Sequence, residues 1–122
     1  MKVIYLFFAI SLLQLPIQAQ NRKLLTSEEE VQEAVSAEVS DLFSSEKFMK
    51  LKNKKFPEVK GYIVYDLSIV GNGKVSTCFK VDSDIKNPLF INFISSYLID
   101  QKFFFKLQKQ QRYKVRYRAE FS

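Results

Sequence analysis

Histidine and tryptophan are absent from this chain of 122 residues, and cysteine occurs once. Without histidine the usual general base near neutral pH is missing, and neither a Ser-His nor a Cys-His pair can form. A single cysteine, Cys78, excludes an internal disulfide. Composition therefore argues against an enzyme, and it indicates a fold that is stabilised by a hydrophobic core.

Carboxylate chemistry is the one catalytic class that this composition leaves open. Asp66 is the only carboxylate inside the two predicted hairpin strands, 61–70 and 74–81. With Asp82, Asp84 or Asp100 it could form the pair that glycoside hydrolysis requires, but nothing in their spacing brings two of them together. We therefore predict no catalytic residue.

Metal and cofactor sites are not predicted either. The acidic run from Glu28 to Glu33 is explained by the dipole of a helix that starts there. A calcium loop at Asp82, Asp84 and Asn87 lacks the glycine and the terminal glutamate that such loops need. The Gly-Asn-Gly tripeptide at 71–73 is not followed by a helix that could bind phosphate.

The first nineteen residues have the pattern of a secretory signal peptide. Lys2 supplies a positive start, residues 3–15 form an apolar run, and Pro16 to Ala19 provide a cleavage region. The alternative is an uncleaved membrane anchor, but the run is shorter than the roughly 20 apolar residues that span a bilayer. We expect cleavage near Ala19 and a periplasmic or secreted protein.

Basic residues are concentrated in the second half of the chain. Residues 20–59 hold seven Lys and Arg against eight Asp and Glu, whereas residues 60–122 hold eleven against five. Such a half attracts acidic protein surfaces or anionic lipid head groups, and peripheral membrane contact is compatible with it. No nucleic-acid partner is predicted, because no nucleic-acid-binding motif is present.

Helical periodicity dominates residues 20–57. Ser27 and Glu30 form a capping box, and apolar residues then recur every three or four positions from Val31 to Phe43. Residues 46–51 either continue this helix or form a separate short one, and Pro57 ends the segment. A further helix is predicted over Pro88 to Leu98, with Asn87 as its N-cap.

Two alternating segments predict a hairpin. The first, 61–70, places Ile63, Tyr65, Leu67 and Ile69 on one face, and residues 71–73 supply a tight turn. In the second, 74–81, strict alternation places the four residues Val75, Thr77, Phe79 and Val81 together. Cys78 then lies on the other face, and we expect it to be a half-buried small residue.

The closing segment, 112–121, alternates without a break. Its apolar residues, from Tyr113 to Phe121, predict a buried face, while Arg112, Lys114, Arg116 and Arg118 predict a cationic one.

These elements predict a two-layer α+β fold in the order helix, strand, strand, helix, strand. The three strands form an antiparallel sheet in the order 2-1-3, packed against two helices, with the last strand on an edge. Residues 20–57 and 58–122 are expected to form one compact domain after the signal peptide. Cystatin-like folds are an alternative that the helix between strands two and three fits poorly.

The second half of the chain resembles the C-terminal domain of TonB-type energy transducers. The resemblance is carried by Gly61 and its strand, the turn at 71–75, the helix at 88–98, the aromatic segment at 103–105 and the ending Tyr117-Arg-Ala-Glu-Phe. The Pro-rich spacer and the uncleaved anchor of that family are not recognised here. The resemblance therefore implies a stand-alone exported module.

What the resemblance implies is a binding mode. In the family, the closing strand pairs with an extended peptide from an outer-membrane receptor, by strand addition. An envelope protein, such as an outer-membrane receptor, would be the partner. The predicted partner-binding residues are Arg112, Tyr113, Lys114, Val115, Arg116, Tyr117 and Arg118.

Two other interpretations of the basic strand stay open. Lys and Arg along an edge also protect a sheet from unwanted pairing. Alternatively, the cationic face binds anionic envelope lipid or glycan, with an affinity that falls as salt rises.

Overall fold

The computed structural model describes residues 22–122, so the predicted signal peptide and its cleavage site lie outside the described residues. The described part of the chain is a mixed α+β fold with three helices and five strands. The elements are β1 (Lys23–Leu25), α1 (Glu28–Ser44), α2 (Glu46–Lys55), β2 (Gly61–Val70), β3 (Lys74–Ser83), α3 (Pro88–Ile99), β4 (Phe105–Leu107) and β5 (Arg112–Phe121).

The helices begin where side chains can bond to free backbone N–H groups. The Ser27 hydroxyl accepts the Glu30 N–H at the start of α1, and the Asn87 side chain accepts from the first turn of α3. Glu30 bonds back to the Thr26 N–H, one residue before the position that a simple capping box uses. Ser45 separates α1 from α2 and caps α2 through the Phe48 N–H.

Three strands form an antiparallel sheet in the order β3-β2-β5. The prediction of one sheet, with strand order 2-1-3 and two covering helices, needs correction in its number of strands, sheets and helices. Numbered along the chain, the strand order of the large sheet is 3-2-5. Residues 22–122 form five strands in two sheets, and three helices. The second sheet is a parallel pair of β1 with β4, in which Lys23 lies opposite Phe105. Both strands have three residues, too few to show a period in the sequence.

The hydrophobic core lies on one face of the large sheet. Alternate residues of β2, from Ile63 to Ile69, are fully buried there with Val115 of β5. Helix α1 contributes Val31, Val35 and Val39, and helix α3 contributes Phe90, Ile94 and Leu98. The Tyr65 hydroxyl donates to the Ile91 carbonyl of α3, and burial raises the Tyr65 pKa to about 12.

The hairpin turn is bound by a distant part of the chain. The carbonyls of Gly71 and Gly73 accept the N–H groups of Leu107 and Phe103 at 2.7 and 2.8 Å. Gly73 has φ +79°, and a Cβ there would lie 2.6 Å from the Phe105 carbonyl oxygen. Only glycine allows both this backbone conformation and this close approach.

Strict alternation is wrong for β3, because the strand contains two bulges. Its register on β2 shifts between Ser68 and Ile69 and again between Val64 and Tyr65. An extra residue in one strand reverses which side chains face the core. Val75 is therefore buried, whereas Phe79 is 70% exposed on the opposite face.

The first bulge also corrects the predicted placement of Cys78. Cys78 lies opposite Leu67, on the core face of the sheet. It is half-buried, so its predicted degree of burial is confirmed although its predicted face is wrong. Burial raises the pKa of its thiol to about 11. The thiol is therefore protonated at neutral pH and is a poor nucleophile.

Candidate functional site

The strand β5 lies at an edge of the large sheet. Its ten residues pair with β2 from Gly61 opposite Phe121 to Val70 opposite Arg112, without a register shift. Within residues 22–122, no strand pairs with its other side. A regular edge of this length presents a row of unpaired backbone groups.

The bonds of β2 identify which backbone groups of β5 are free. The Tyr62 carbonyl accepts the Ser83 hydroxyl, and the Ser68 carbonyl accepts the Ser76 hydroxyl, so the even-numbered residues of β2 face β3. Odd-numbered residues of β2 consequently face β5 and bond to the odd-numbered residues there. The remaining backbone groups of β5 point away from the sheet. They belong to Arg112, Lys114, Arg116, Arg118 and Glu120.

The same even-numbered residues carry the charged side chains. Arg112, Lys114, Arg116 and Arg118 are all exposed. The predicted cationic face is thus present, and it coincides with the free backbone edge.

Two of these four basic side chains, Arg116 and Arg118, form ion pairs with carboxylates. The Arg116 guanidinium makes two hydrogen bonds to Asp66, at 2.8 and 3.1 Å. These bonds lower the pKa of Asp66 below its ordinary value and raise that of Arg116. Arg118 bonds Glu120 at 3.0 Å, and its guanidinium lies 3.9 Å from the ring centroid of Tyr62.

Three of the seven predicted site residues point toward the core or toward α1. Val115 is fully buried, and its backbone belongs to the row bonded to β2. The hydroxyl of Tyr113 donates to the Thr26 carbonyl, and that of Tyr117 lies 3.1 Å from the Ser40 hydroxyl. Arg112, Lys114, Arg116 and Arg118 remain as residues that can contact a partner.

Gln32 is a residue at this edge that the sequence did not indicate. Its side-chain amide, on α1, donates to the Arg116 carbonyl at 3.1 Å and to the Ser36 hydroxyl at 3.2 Å. The bond to Arg116 occupies one of the outward backbone acceptors of β5. Its position 84 residues away in the sequence explains why no local pattern predicted it.

The carboxylates considered for catalysis have other partners. Asp66 is paired with Arg116, while Asp82 accepts the Tyr62 hydroxyl and Asp84 accepts the Tyr62 N–H. In residues 22–122, no group of three histidine, cysteine, aspartate or glutamate side chains is placed to hold a metal ion. No helix of the described residues is long and apolar enough to cross a membrane.

Comparison with protein-family models, with curated proteins and with solved structures finds no match to this chain. The resemblance to TonB-type domains therefore stays a prediction.

Proposed function

We propose that this protein is a non-enzymatic interaction module of an export compartment, and that it binds an extended segment of an envelope protein at the edge of β5. The proposal rests on one observation, the row of outward backbone groups on a ten-residue strand without register shifts. A peptide laid along this edge gains main-chain hydrogen bonds, the usual source of affinity in strand addition.

The surroundings of the edge favour an acidic peptide. Arg112 and Lys114 are exposed beside it, and the structure gives them no carboxylate partner among the described residues. Because side chains of an added strand alternate, every second residue of the peptide would face these cations. Acidic side chains at those positions would complement the charge and orient the segment.

Gln32 would have to release the Arg116 carbonyl before a peptide could pair there. The net worth of such a hydrogen bond is about 0.5–1.5 kcal/mol, small enough for a pairing strand to replace. Gln32 therefore competes weakly with a peptide for the Arg116 carbonyl. Its removal is expected to strengthen peptide binding by about threefold.

A capped peptide that alternates aspartate and valine provides the direct test. We expect it to bind the purified protein, measured by fluorescence anisotropy, and to slow amide exchange at Lys114, Arg116 and Arg118. A control peptide of the same sequence, N-methylated on the backbone at alternate residues, keeps its charge and loses half of its backbone N–H donors. Strand addition predicts about tenfold weaker binding for it.

Two variants at one position separate backbone pairing from charge. Lys114→Pro removes an outward N–H without breaking the ladder to β2, a position at which an edge strand tolerates proline. Lys114→Ala removes the same charge and keeps the N–H. We expect a larger loss of peptide affinity for the proline variant, and equal losses would contradict strand addition.

Binding of anionic lipid or glycan by the cationic face is the second candidate. It is favoured by the exposed Arg112 and Lys114, but weakened by the carboxylates that already neutralise Arg116 and Arg118. It predicts equal affinity for the methylated and unmethylated peptides and a steep loss with salt. That result would replace the first proposal with this one.

A further inference from the structure

A buried lysine has no hydrogen-bond partner among the described residues. Lys52 of α2 is 1% exposed, although lysine is among the residues least often buried without a partner. Its Nζ atom has no hydrogen-bond partner, and no carboxylate of the described residues lies within ion-pair distance. A buried ammonium in this state is unfavourable unless something supplies the missing acceptor.

Two aromatic residues, Phe43 and Phe121, line a cavity together with Lys52 and belong to a cluster of packed rings. On α2, Phe48 packs against Phe43 of α1 at a ring-centroid distance of 4.9 Å, and Phe43 packs against Phe121 of β5 at 5.4 Å. Rigid rings of this kind hold a cavity open, because they cannot collapse into it without losing contacts with one another.

Lys52 lines such a cavity, of about 350 Å³. This volume lies at the lower end of the roughly 300–1,000 Å³ of small-molecule sites. Its other walls combine apolar and polar groups, with Glu120 directed to Arg118. They are Phe43, Ser44, Met49, Glu120, Phe121 and Ser122.

We propose that this cavity binds a small carboxylate with an apolar body, such as a medium-chain fatty acid or an aromatic acid. The carboxylate would supply the acceptor that Lys52 lacks, and the apolar body would contact Phe43, Met49 and Phe121. A single ammonium suits a monoanion, whereas a phosphate dianion is usually held by several cations or by a row of N–H groups. This site lies at the C-terminal end of β5, where Glu120 and Phe121 line it. Arg112 and Lys114 are at the opposite end of the strand.

The test uses decanoate and benzoate as probes, titrated by calorimetry against the purified protein. Lys52→Met keeps an unbranched side chain and removes the charge. We expect it to weaken carboxylate binding at least tenfold and to raise the melting temperature without ligand, because an unpaired buried charge is gone. Lys52→Arg keeps the charge and should retain binding.

Lys47→Met is the matched control, since Lys47 is exposed on the same helix. It should alter neither binding nor melting temperature. Decanol, which has the apolar body without the charge, should bind weakly and equally to wild type and Lys52→Met. Equal decanoate affinity for these two proteins, or no saturable binding of either carboxylate to wild type, would overturn the proposal. A melting temperature lowered by Lys52→Met would also overturn it, because Lys52 would then have a stabilising partner within the chain.

Discussion

The two edge strands of the large sheet have the same length and the same neighbour, yet they differ in regularity. β5 keeps one register along all ten residues, whereas β3 changes register twice. Bulges twist an edge and interrupt its row of free backbone groups, which discourages pairing with another chain. β3 is therefore protected by its shape. β5 is protected by charged side chains and by Gln32.

The difference indicates why the two edges suit different tasks. Protection by charge leaves the backbone regular, so a partner of the opposite charge can still pair with it. Protection by bulges changes the backbone itself and is effective against any partner. Of the two edges, β5 is the one that combines protection with selective binding.

The largest expected effect separates the two backbone rows of β5. Val115→Pro removes a ladder hydrogen bond to β2 and a fully buried side chain. We expect it to lower the free energy of unfolding by about 3 kcal/mol or more. Lys114→Pro, one residue earlier, should cost much less, because its N–H points outward. Urea denaturation of both variants measures the contrast, and equal losses would show that the rows are assigned wrongly.

A smaller effect is expected for the ion pair that joins β5 to the centre of the sheet. Arg116→Gln removes the partner of Asp66, and because the Arg116 side chain is 62% exposed we expect only a small loss in the free energy of unfolding at pH 7. Arg112 forms no ion pair among the described residues. Arg112→Gln should therefore change the free energy of unfolding less than Arg116→Gln does.

The pH dependence of that loss follows from the pKa of Asp66. Pairing lowers this pKa in the folded protein relative to its ordinary value of 3.8. The stabilisation is therefore complete well above pH 4 and disappears as the pH falls through the lowered value. The difference between wild type and Arg116→Gln in urea denaturation should be present at pH 7 and absent near pH 2. A difference that is constant across this range would exclude the ion pair as its cause.

The smallest effect is expected on the bulged edge. Phe79 is 70% exposed on β3, so Phe79→Thr should change the free energy of unfolding by less than about 0.5 kcal/mol. It should also leave the affinity for the alternating peptide unchanged. Weaker peptide binding by this variant would place the peptide on β3 or on the exposed face of the sheet. It would contradict the proposal that β5 is the edge that binds.

Local signals predicted most of the fold. The caps Ser27 and Asn87, the apolar periods of α1 and α3, and the turn after Val70 all act over a few residues, and the structure confirms these elements. The pairing of β1 with β4 joins residues about eighty positions apart. Three-residue strands carry too little periodicity to reveal such a pair. The bulges of β3 were missed because nothing in the segment distinguishes the residue that leaves the ladder.

The candidate site was predicted in part. Alternation correctly separated the exposed cations of β5 from buried Val115. Alternation did not show that the backbone N–H and carbonyl groups of the exposed residues are the ones that point away from the sheet. That property depends on which residues of β2 form hydrogen bonds to β5. Gln32 and Lys52 had no local signal, because their environments are formed by elements that are distant in the sequence.

The sequence by itself determined where α1, α3, β2 and β5 begin, and which face of β5 is charged. These properties follow from side-chain chemistry and from periods of two and about four residues. Only the tertiary structure decided which edge stays regular, which carbonyl Gln32 occupies and which lysine is buried without a hydrogen-bond partner. Those outcomes depend on contacts between residues far apart in the chain, where burial and backbone pairing outweigh local preference.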